Sequence, residues 1–262
     1  MTTRLLLTQP RLIAFDNRSS REEILRGIDT LPDAPWKEDI LILPEHAFFH
    51  HEAEAYLDEI TSLAAHCGCT VVGGSFHEYA GDVRRNTGAV VTASGEVLMW
   101  YDKLRPYAEE RSRVDAGVRL GECSINGVRV LVLICADFWF SDLFHQARAL
   151  PDVVLVPALS VTRKATPDYS RTLWRHLAVS RAYEFGVYVG ISDWSADAQL
   201  PALRTSGVGG FADPTTTDSD GFYSATGDAR MQVVTLDLDA LAAFREDRRA
   251  RGFYWDRSLP QE

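Results

Sequence analysis

A cysteine, a glutamate and a lysine each follow an apolar run in this 262-residue chain. Cys135 comes directly after the β-branched stretch 128–134, and Glu45 and Lys103 stand just past similar stretches. The carboxyl ends of strands in an α/β sheet border the crevice in which ligands bind. We therefore expect the three side chains to meet at one sheet edge.

Thiol, carboxylate and ammonium groups together form a coherent set for acyl transfer. The thiol of Cys135 supplies a nucleophile, and the first N–H groups of a helix after it can stabilise a thiolate. The carboxylate of Glu45 can take the thiol proton if desolvation raises its pKa. The fixed cation of Lys103 can stabilise the oxyanion that forms when a carbonyl or nitrile is attacked.

The elements that must position these residues alternate along the chain. Short β-branched runs predict strands, which we place at 4–8, 39–43, 70–73, 89–92, 97–100, 128–134, 153–156, 187–192 and 232–238. Apolar residues at helical spacing predict three helices between them. We expect Ser20 and Glu23 to form a capping box for the first helix, and Gly186 to end the third.

This alternation predicts a layered α/β fold with a mixed sheet system. The only soft stretch, 196–223, is rich in Asp, Thr, Gly and Ser, and no linker marks a boundary. The prediction is one domain spanning 1–262.

Composition excludes several classes of function. The chain carries 27 basic and 37 acidic residues, for a net charge of −10, and has no basic stripe. This argues against nucleic acid as a partner. The densest basic stretch, 245–251, is interrupted by acids and is interpreted as a solvated helix end. No apolar segment is long enough to span a membrane. The absence of a signal-peptide pattern and of a disulfide framework predicts a cytoplasmic location.

Three sequence blocks resemble the motif blocks of the nitrilase superfamily, the carbon–nitrogen hydrolases. They appear in the order found in that family, and are Leu41-Ile42-Leu43-Pro44-Glu45, Tyr101-Asp102-Lys103-Leu104 and Ile134-Cys135-Ala136-Asp137-Phe138-Trp139-Phe140. A helix ending in Arg181-Ala182-Tyr183-Glu184 is also similar to an element of the family. The resemblance covers nearly the whole chain.

The resemblance implies a four-layer α-β-β-α sandwich and an amidase-like enzyme without metal or organic cofactor. Its substrate would be a small molecule with an amide, N-carbamoyl or nitrile group, cleaved through a thioester on Cys135. Glu45 would act as general base, while Lys103 and the backbone N–H of Ala136 would hold the oxyanion. The family's second glutamate corresponds to Glu110, which we choose over its neighbour Glu109.

The chain departs from the family pattern at several positions around the site. Trp139 stands where arginine is common, and Leu159-Ser160 replace an asparagine-bearing turn. None of these changes removes a catalytic atom, but they alter the pocket walls. We expect Phe138, Trp139, Leu159 and Ser160 to bind the substrate.

Two other functions remain open from the sequence. His46 and His50 have the i, i+4 spacing that can place two ligands on one helix face, as in a metal-dependent hydrolase. No His-Glu-x-x-His motif accompanies them. The second alternative is a non-catalytic binding protein that keeps the fold.

The resemblance also implies a homodimer or a higher homo-oligomer. The aromatic segment Arg251-Gly252-Phe253-Tyr254-Trp255 is a candidate for the subunit contact.

Overall fold

The computed structural model describes residues 3–198, 200 and 203–253. Its strands are β1 (Arg4–Thr8), β2 (Ile40–Ile42), β3 (Thr70–Val72), β4 (Phe76–Ala80), β5 (Val83–Val91), β6 (Val97–Asp102), β7 (Gly121–Ile125), β8 (Val128–Val132), β9 (Val153–Pro157), β10 (Tyr188–Ser192), β11 (Gly210–Ala212), β12 (Tyr223–Ala225) and β13 (Met231–Thr235). Its helices are α1 (Asn17–Ile28), α2 (Ala53–Cys67), α3 (Asp142–Gln146), α4 (Asp168–Phe185) and α5 (Leu238–Ala250).

The strands form two mixed sheets. The first has the order β13-β1-β2-β3-β5-β4, with β6 paired to β5, and the second has the order β12-β11-β10-β9-β8-β7. Strands β1, β2 and β3 are parallel, as are β8, β9 and β10. Strand β6 is antiparallel to β5, which is antiparallel to β3, so β6 runs in the direction of β2. The ends of β2 and β6 therefore lie at the same edge of the first sheet.

Alternating side chains explain why several strands are continuous apolar runs. In β1, Leu5 and Leu7 enter the core between the two sheets, whereas Leu6 packs under the helices of its own sheet. In β9, Leu155 enters the central core and Val154 faces the core beneath α3 and α4. Each such strand is buried on both faces. The four-layer α-β-β-α sandwich is confirmed.

Two helix boundaries differ in how well they match the predictions. The αL residue Gly186, with φ 60°, follows α4 as expected. The predicted capping box at Ser20 is wrong. Helix α1 starts four residues earlier, because the side chain of its N-cap Asp16 accepts a hydrogen bond from the backbone N–H of Ser19 at 2.9 Å.

Two arginines at the end of α5 are buried, although the other residues of the stretch 245–251 are exposed, so the interpretation as a solvated basic stretch is wrong for these two. Arg245 is 8% exposed and donates to Asp152 at 2.8 Å and to the carbonyl of Gly186 at 2.7 Å. Arg248 is also buried and lies over the ring of Tyr183. These guanidinium groups join the helix to the rest of the domain instead of facing water. Within the described part of the chain, the helices are too short or too polar to cross a bilayer.

Candidate active site

Glu45 follows β2, and its backbone is held by residues of the second sheet. Its N–H donates to the carbonyl of Ala158 at 3.1 Å, and its carbonyl accepts from the indole of Trp194 at 2.8 Å. The glutamate side chain is 3% exposed. A residue of the first sheet is thus placed at the edge of the second.

Lys103 follows β6 and bridges two carboxylates. Its Nζ lies 2.6 Å from Glu45 Oε1 and 2.6 Å from Glu110 Oε2. Glu110 lies in a 3₁₀ turn, Ala108–Ser112, and its side chain is 12% exposed. By contrast, Glu109 is 87% exposed and pairs with Arg113 at 3.5 Å. The structure therefore brings Glu110, and not Glu109, together with Glu45 and Lys103.

Asn86 and His77 complete this charged cluster, and sequence reasoning missed both. The Nδ2 of Asn86 donates to Glu45 Oε1 at 2.9 Å and to Glu110 Oε1 at 2.7 Å. The Nε2 of His77 lies 3.4 Å from Glu110 Oε1. A polar Asn within the strand that pairs with the Lys103 strand was the only sequence signal for this contact.

Cys135 lies three residues beyond the end of β8 at a sharp turn of the backbone. Its φ of 47° falls in the left-handed region that non-glycine residues seldom adopt. A five-residue 3₁₀ turn, Cys135–Trp139, begins at this residue in place of the α-helix that we expected. The first hydrogen bond of this turn runs from Asp137 N to Ile134 O. The turn itself therefore leaves the N–H groups of Cys135 and Ala136 unpaired.

The surroundings of Cys135 set the charge state of its thiol. Burial, together with the charge of Glu45, raises the pKa of Cys135 well above its ordinary value, and the cation of Lys103 opposes that shift. The Sγ atom lies 3.9 Å from the carbonyl of Leu159, whose N–H donates to Glu45 Oε2 at 3.2 Å. The free thiol is therefore protonated at neutral pH.

Attraction between opposite charges determines the protonation states of Lys103 and Glu110 in this cluster. Burial opposes the charge of Lys103, but the charges of Glu45 and Glu110 outweigh it and raise the pKa of the ammonium. Burial likewise opposes ionisation of Glu110, but hydrogen bonds and charge from His77, Lys103 and Asn86 hold its pKa well below the usual range. The ammonium and the Glu110 carboxylate are both charged at neutral pH.

A buried carboxyl group joins the lysine segment to the cysteine turn. Asp137 accepts from the backbone N–H of Arg105 at 2.7 Å and of Leu104 at 3.0 Å. Burial raises the pKa of Asp137 to about 7. These bonds fix the residue after Lys103 relative to the turn that begins at Cys135.

A cavity of about 400 Å³ opens from Cys135 to the surface. Its described walls are the 3₁₀ turn, the segment after β9 and the first turns of α4. Of the four residues predicted to bind substrate, Trp139, Leu159 and Ser160 line it, as does Ala136. Phe138 does not, because it is fully buried beneath the turn and stacks on Trp174.

The histidines do not form the predicted pair of metal ligands. His46 has a φ of 55° and lies in a loop before α2, so His46 and His50 share no helix face. His50 instead contacts Asn17 at 3.0 Å. Ligand atoms of His46, His77 and Glu110 lie within 4.8 Å of one another and are the group in the described residues able to hold a metal ion. The adjacent ammonium of Lys103 disfavours a second cation there.

The sequence of the chain matches one known protein family. The family model for carbon–nitrogen hydrolases matches residues 34–209. No curated protein sequence matches the chain.

Several solved structures share the fold at low sequence identity. Nit3 of Saccharomyces cerevisiae, a member of branch 10 of the nitrilase superfamily, has a TM-score of 0.79 at 20% identity, covering 98% of this chain and 97% of Nit3. A CN-hydrolase superfamily protein of Xanthomonas campestris, with an arsenic adduct in its active site, has a TM-score of 0.77 at 19% identity, covering 99% and 100%. A double mutant of the amidase from Nesterenkonia sp. AN1 in complex with acrylamide has a TM-score of 0.70 at 18% identity, covering 96% and 97%.

Proposed function

The chain belongs to the carbon–nitrogen hydrolase family, and we propose that it cleaves an amide, N-carbamoyl or nitrile group of a small molecule through a thioester on Cys135. One observation carries this proposal. The Cys135 thiol lines an open cavity and contacts the same residue as Glu45, since its Sγ lies 3.9 Å from the carbonyl of Leu159 and the Leu159 N–H donates to Glu45 Oε2 at 3.2 Å, while Lys103 bridges Glu45 to Glu110.

The first half-reaction forms the thioester. Because the pKa of Cys135 is raised, Glu45 takes the thiol proton as the sulfur bonds to the amide carbon. Lys103 and the N–H of Ala136 hold the resulting oxyanion, and the loss of one such donor typically costs about 3–4 kcal/mol. The C–N bond then breaks, and Glu45 returns the proton to the departing amine.

The second half-reaction releases the acid. A water molecule gives a proton to Glu45 and attacks the thioester carbon. The C–S bond breaks, the carboxylic acid leaves, and the sulfur of Cys135 recovers its proton from Glu45. Glu110 acts as a positioning residue throughout, because it holds the ammonium of Lys103 beside Glu45 at 2.6 Å. No step requires a metal or an organic cofactor.

An amide is the first substrate class to test. The acrylamide complex of the Nesterenkonia amidase, which has the same fold, supports that order. Ammonia release from amides, carbamoyl compounds and nitriles is measured with wild type, Cys135→Ala and Glu45→Gln. Intact mass spectrometry of the quenched reaction then looks for an acyl adduct on Cys135.

The proposal expects activity and an acyl adduct that Cys135→Ala abolishes. Cys123→Ala is the matched control, because Cys123 lies on β7 and is partly buried in the core between the sheets. Activity that survives Cys135→Ala would overturn the mechanism. Absence of turnover on every class would favour a non-catalytic binding protein.

We also propose that the protein is a homodimer, with the segment 251–255 at the contact. Phe253 is 64% exposed, and Tyr254 and Trp255 lie outside the described residues. Sedimentation that finds only monomer would refute the dimer.

A further inference from the structure

The walls of the cavity beside Cys135 are unusually apolar for a surface opening. Six of the sixteen large hydrophobic residues that are exposed in the described chain line this one cavity. They are Tyr107, Trp139, Phe140, Val161, Tyr169 and Leu173. Exposed apolar side chains gathered in one place mark a ligand surface.

The described lining residues of this cavity include no Asp, Glu, Lys, Arg or His. The polar side-chain groups are the thiol of Cys135, the hydroxyls of Ser160, Ser170 and two tyrosines, and the indole N–H groups of two tryptophans. The charged cluster lies behind the cysteine, where Glu45 and Lys103 are 3% and 5% exposed at their side chains. A second charge on the substrate would therefore be buried without a counter-ion, at a large desolvation cost.

Two cations near the rim do not change this conclusion. Arg105 lies over Phe140 and is already ion-paired with Asp142. Lys164 is exposed, with its Nζ 5.3 Å from the centre of the Tyr169 ring. An exposed lysine in water contributes little to binding a carboxylate.

We infer that the site takes amides of uncharged acids whose acyl chain is branched alkyl or aryl, and that it rejects amides carrying a second carboxylate. This inference rests on the proposed hydrolase function. The acyl chain lies against the aromatic walls of the cavity, and the carbon under attack lies at Cys135. Trp139, in the 3₁₀ turn, and Leu173, on α4, are the residues that set this specificity.

Isocaproamide and glutaramate are the pair of substrates that tests the inference, since they have similar lengths and differ by one carboxylate. The value of kcat/KM, measured by ammonia release, is expected to favour isocaproamide by about 100-fold or more. Phenylacetamide is expected to resemble isocaproamide. Equal kcat/KM values for the two substrates, or a higher value for glutaramate, would overturn the inference. A Lys164→Ala variant that loses hydrolysis of glutaramate but keeps that of isocaproamide would also overturn it.

A positively charged side chain introduced into the cavity wall is expected to reduce the preference for isocaproamide over glutaramate. Leu173 is 37% exposed on α4, so Leu173→Arg adds a guanidinium at the cavity without filling a core. The ratio of kcat/KM for isocaproamide to kcat/KM for glutaramate should fall by about 10-fold. Thr172→Arg is the matched control, because Thr172 is exposed on the same helix and does not line this cavity. An unchanged ratio in Leu173→Arg, or an equal fall in both variants, would contradict the role of this wall.

Binding to the Cys135→Ala variant separates the two proposals. Fluorescence of Trp139 and Trp174, both in the cavity wall, reports the dissociation constants of isocaproamide and glutaramate. Preferential binding of isocaproamide without turnover by wild type would overturn the hydrolase and uphold the apolar cavity. Turnover by wild type together with preferential binding of glutaramate would uphold the hydrolase and overturn the inference of an apolar substrate site.

Discussion

The replacement Glu110→Gln tests the charged cluster most directly. Each carboxylate oxygen of Glu110 has its own short side-chain donor, with Asn86 Nδ2 at 2.7 Å from Oε1 and Lys103 Nζ at 2.6 Å from Oε2, and Oε2 also accepts from the backbone N–H of Tyr107 at 3.3 Å. A glutamine offers one oxygen and one NH₂ group. Whichever way its amide turns, one of the two donors faces an N–H. Asn86 cannot adapt by turning, because the same Nδ2 also donates to Glu45 at 2.9 Å.

The expected magnitude follows from that single lost bond. A hydrogen bond to a charged group contributes about 1.5–3 kcal/mol. The same free energy, expressed at the transition state, lowers kcat/KM by about 10- to 150-fold. Ammonia release from isocaproamide measures this change, and urea unfolding measures the accompanying loss of stability.

The pH dependence distinguishes this role from simple packing. The folded pKa of Glu110 is lowered, so its contribution to stability is present above the ordinary glutamate pKa of about 4.3 and is lost as pH falls through the folded pKa. The stability difference between wild type and Glu110→Gln should therefore be largest at neutral pH and shrink below about pH 4.3. A difference independent of pH would refute the reasoning.

Glu109→Gln is the control for this experiment. Its carboxylate is 87% exposed, so both kcat/KM and stability should remain as in wild type. Equal impairment of the two variants, or a Glu110→Gln enzyme within twofold of wild type, would show that the contacts of Glu110 do not hold the site.

Three further predictions concern residues around the site and in the core. Burial lowers the pKa of His46 to about 4. Between about pH 4 and 6.5 the unfolded state therefore binds a proton at this histidine that the folded state does not bind. The free energy of unfolding falls as pH drops through that window. Urea unfolding at pH 5 and 7.5 should show a smaller fall for His46→Asn than for wild type, whereas the exposed-residue control His66→Asn should keep the wild-type fall; identical pH dependence in all three would contradict this. Phe138→Ala should cost about 3–5 kcal/mol of stability because the ring is fully buried, while Trp139→Ala should raise KM for isocaproamide with little loss of stability; the opposite pattern would reverse their assignment. Arg245→Met should cost about 3–5 kcal/mol, because it removes a buried guanidinium that bonds Asp152 and the carbonyls of Gly186 and Pro151, although Arg129 still pairs with Asp152. Arg249→Met, on a half-exposed pair with Glu246, should cost under about 1 kcal/mol in the same measurement, and equal costs would refute the buried role of Arg245.

The predicted strands succeeded where a strand is buried on both faces. The run that includes Val154 is apolar at every position and the run that includes Leu6 is apolar at its three central positions, and such runs have few other folded states. Strands β4, β7, β11 and β12 were missed, since they are short or carry exposed polar residues. Their backbone pairing depends on neighbours that are distant in sequence.

The cluster around Lys103 was only partly predictable for a similar reason. Glu45, Lys103 and Cys135 each end an apolar run, so their placement follows from strand direction. Asn86 contacts Glu45 across 41 residues of sequence, and its polar side chain within a strand does not indicate which distant residue it contacts. Phe138 was assigned to the pocket because it neighbours Cys135, but the tight 3₁₀ turn directs it into the core and leaves Trp139 outside.

The backbone bonds of Glu45 to Ala158 and Trp194 have a consequence for how activity arises during folding. The base comes from one sheet and the nucleophile from the other, so neither sheet contains a working site by itself. A collapsed state with both sheets formed but not yet docked would have native-like secondary structure and no activity. A slip of about 1 Å between the docked sheets would cost about 100-fold in rate. Recovery of activity during refolding therefore reports the last step of folding, in which the two sheets dock against each other.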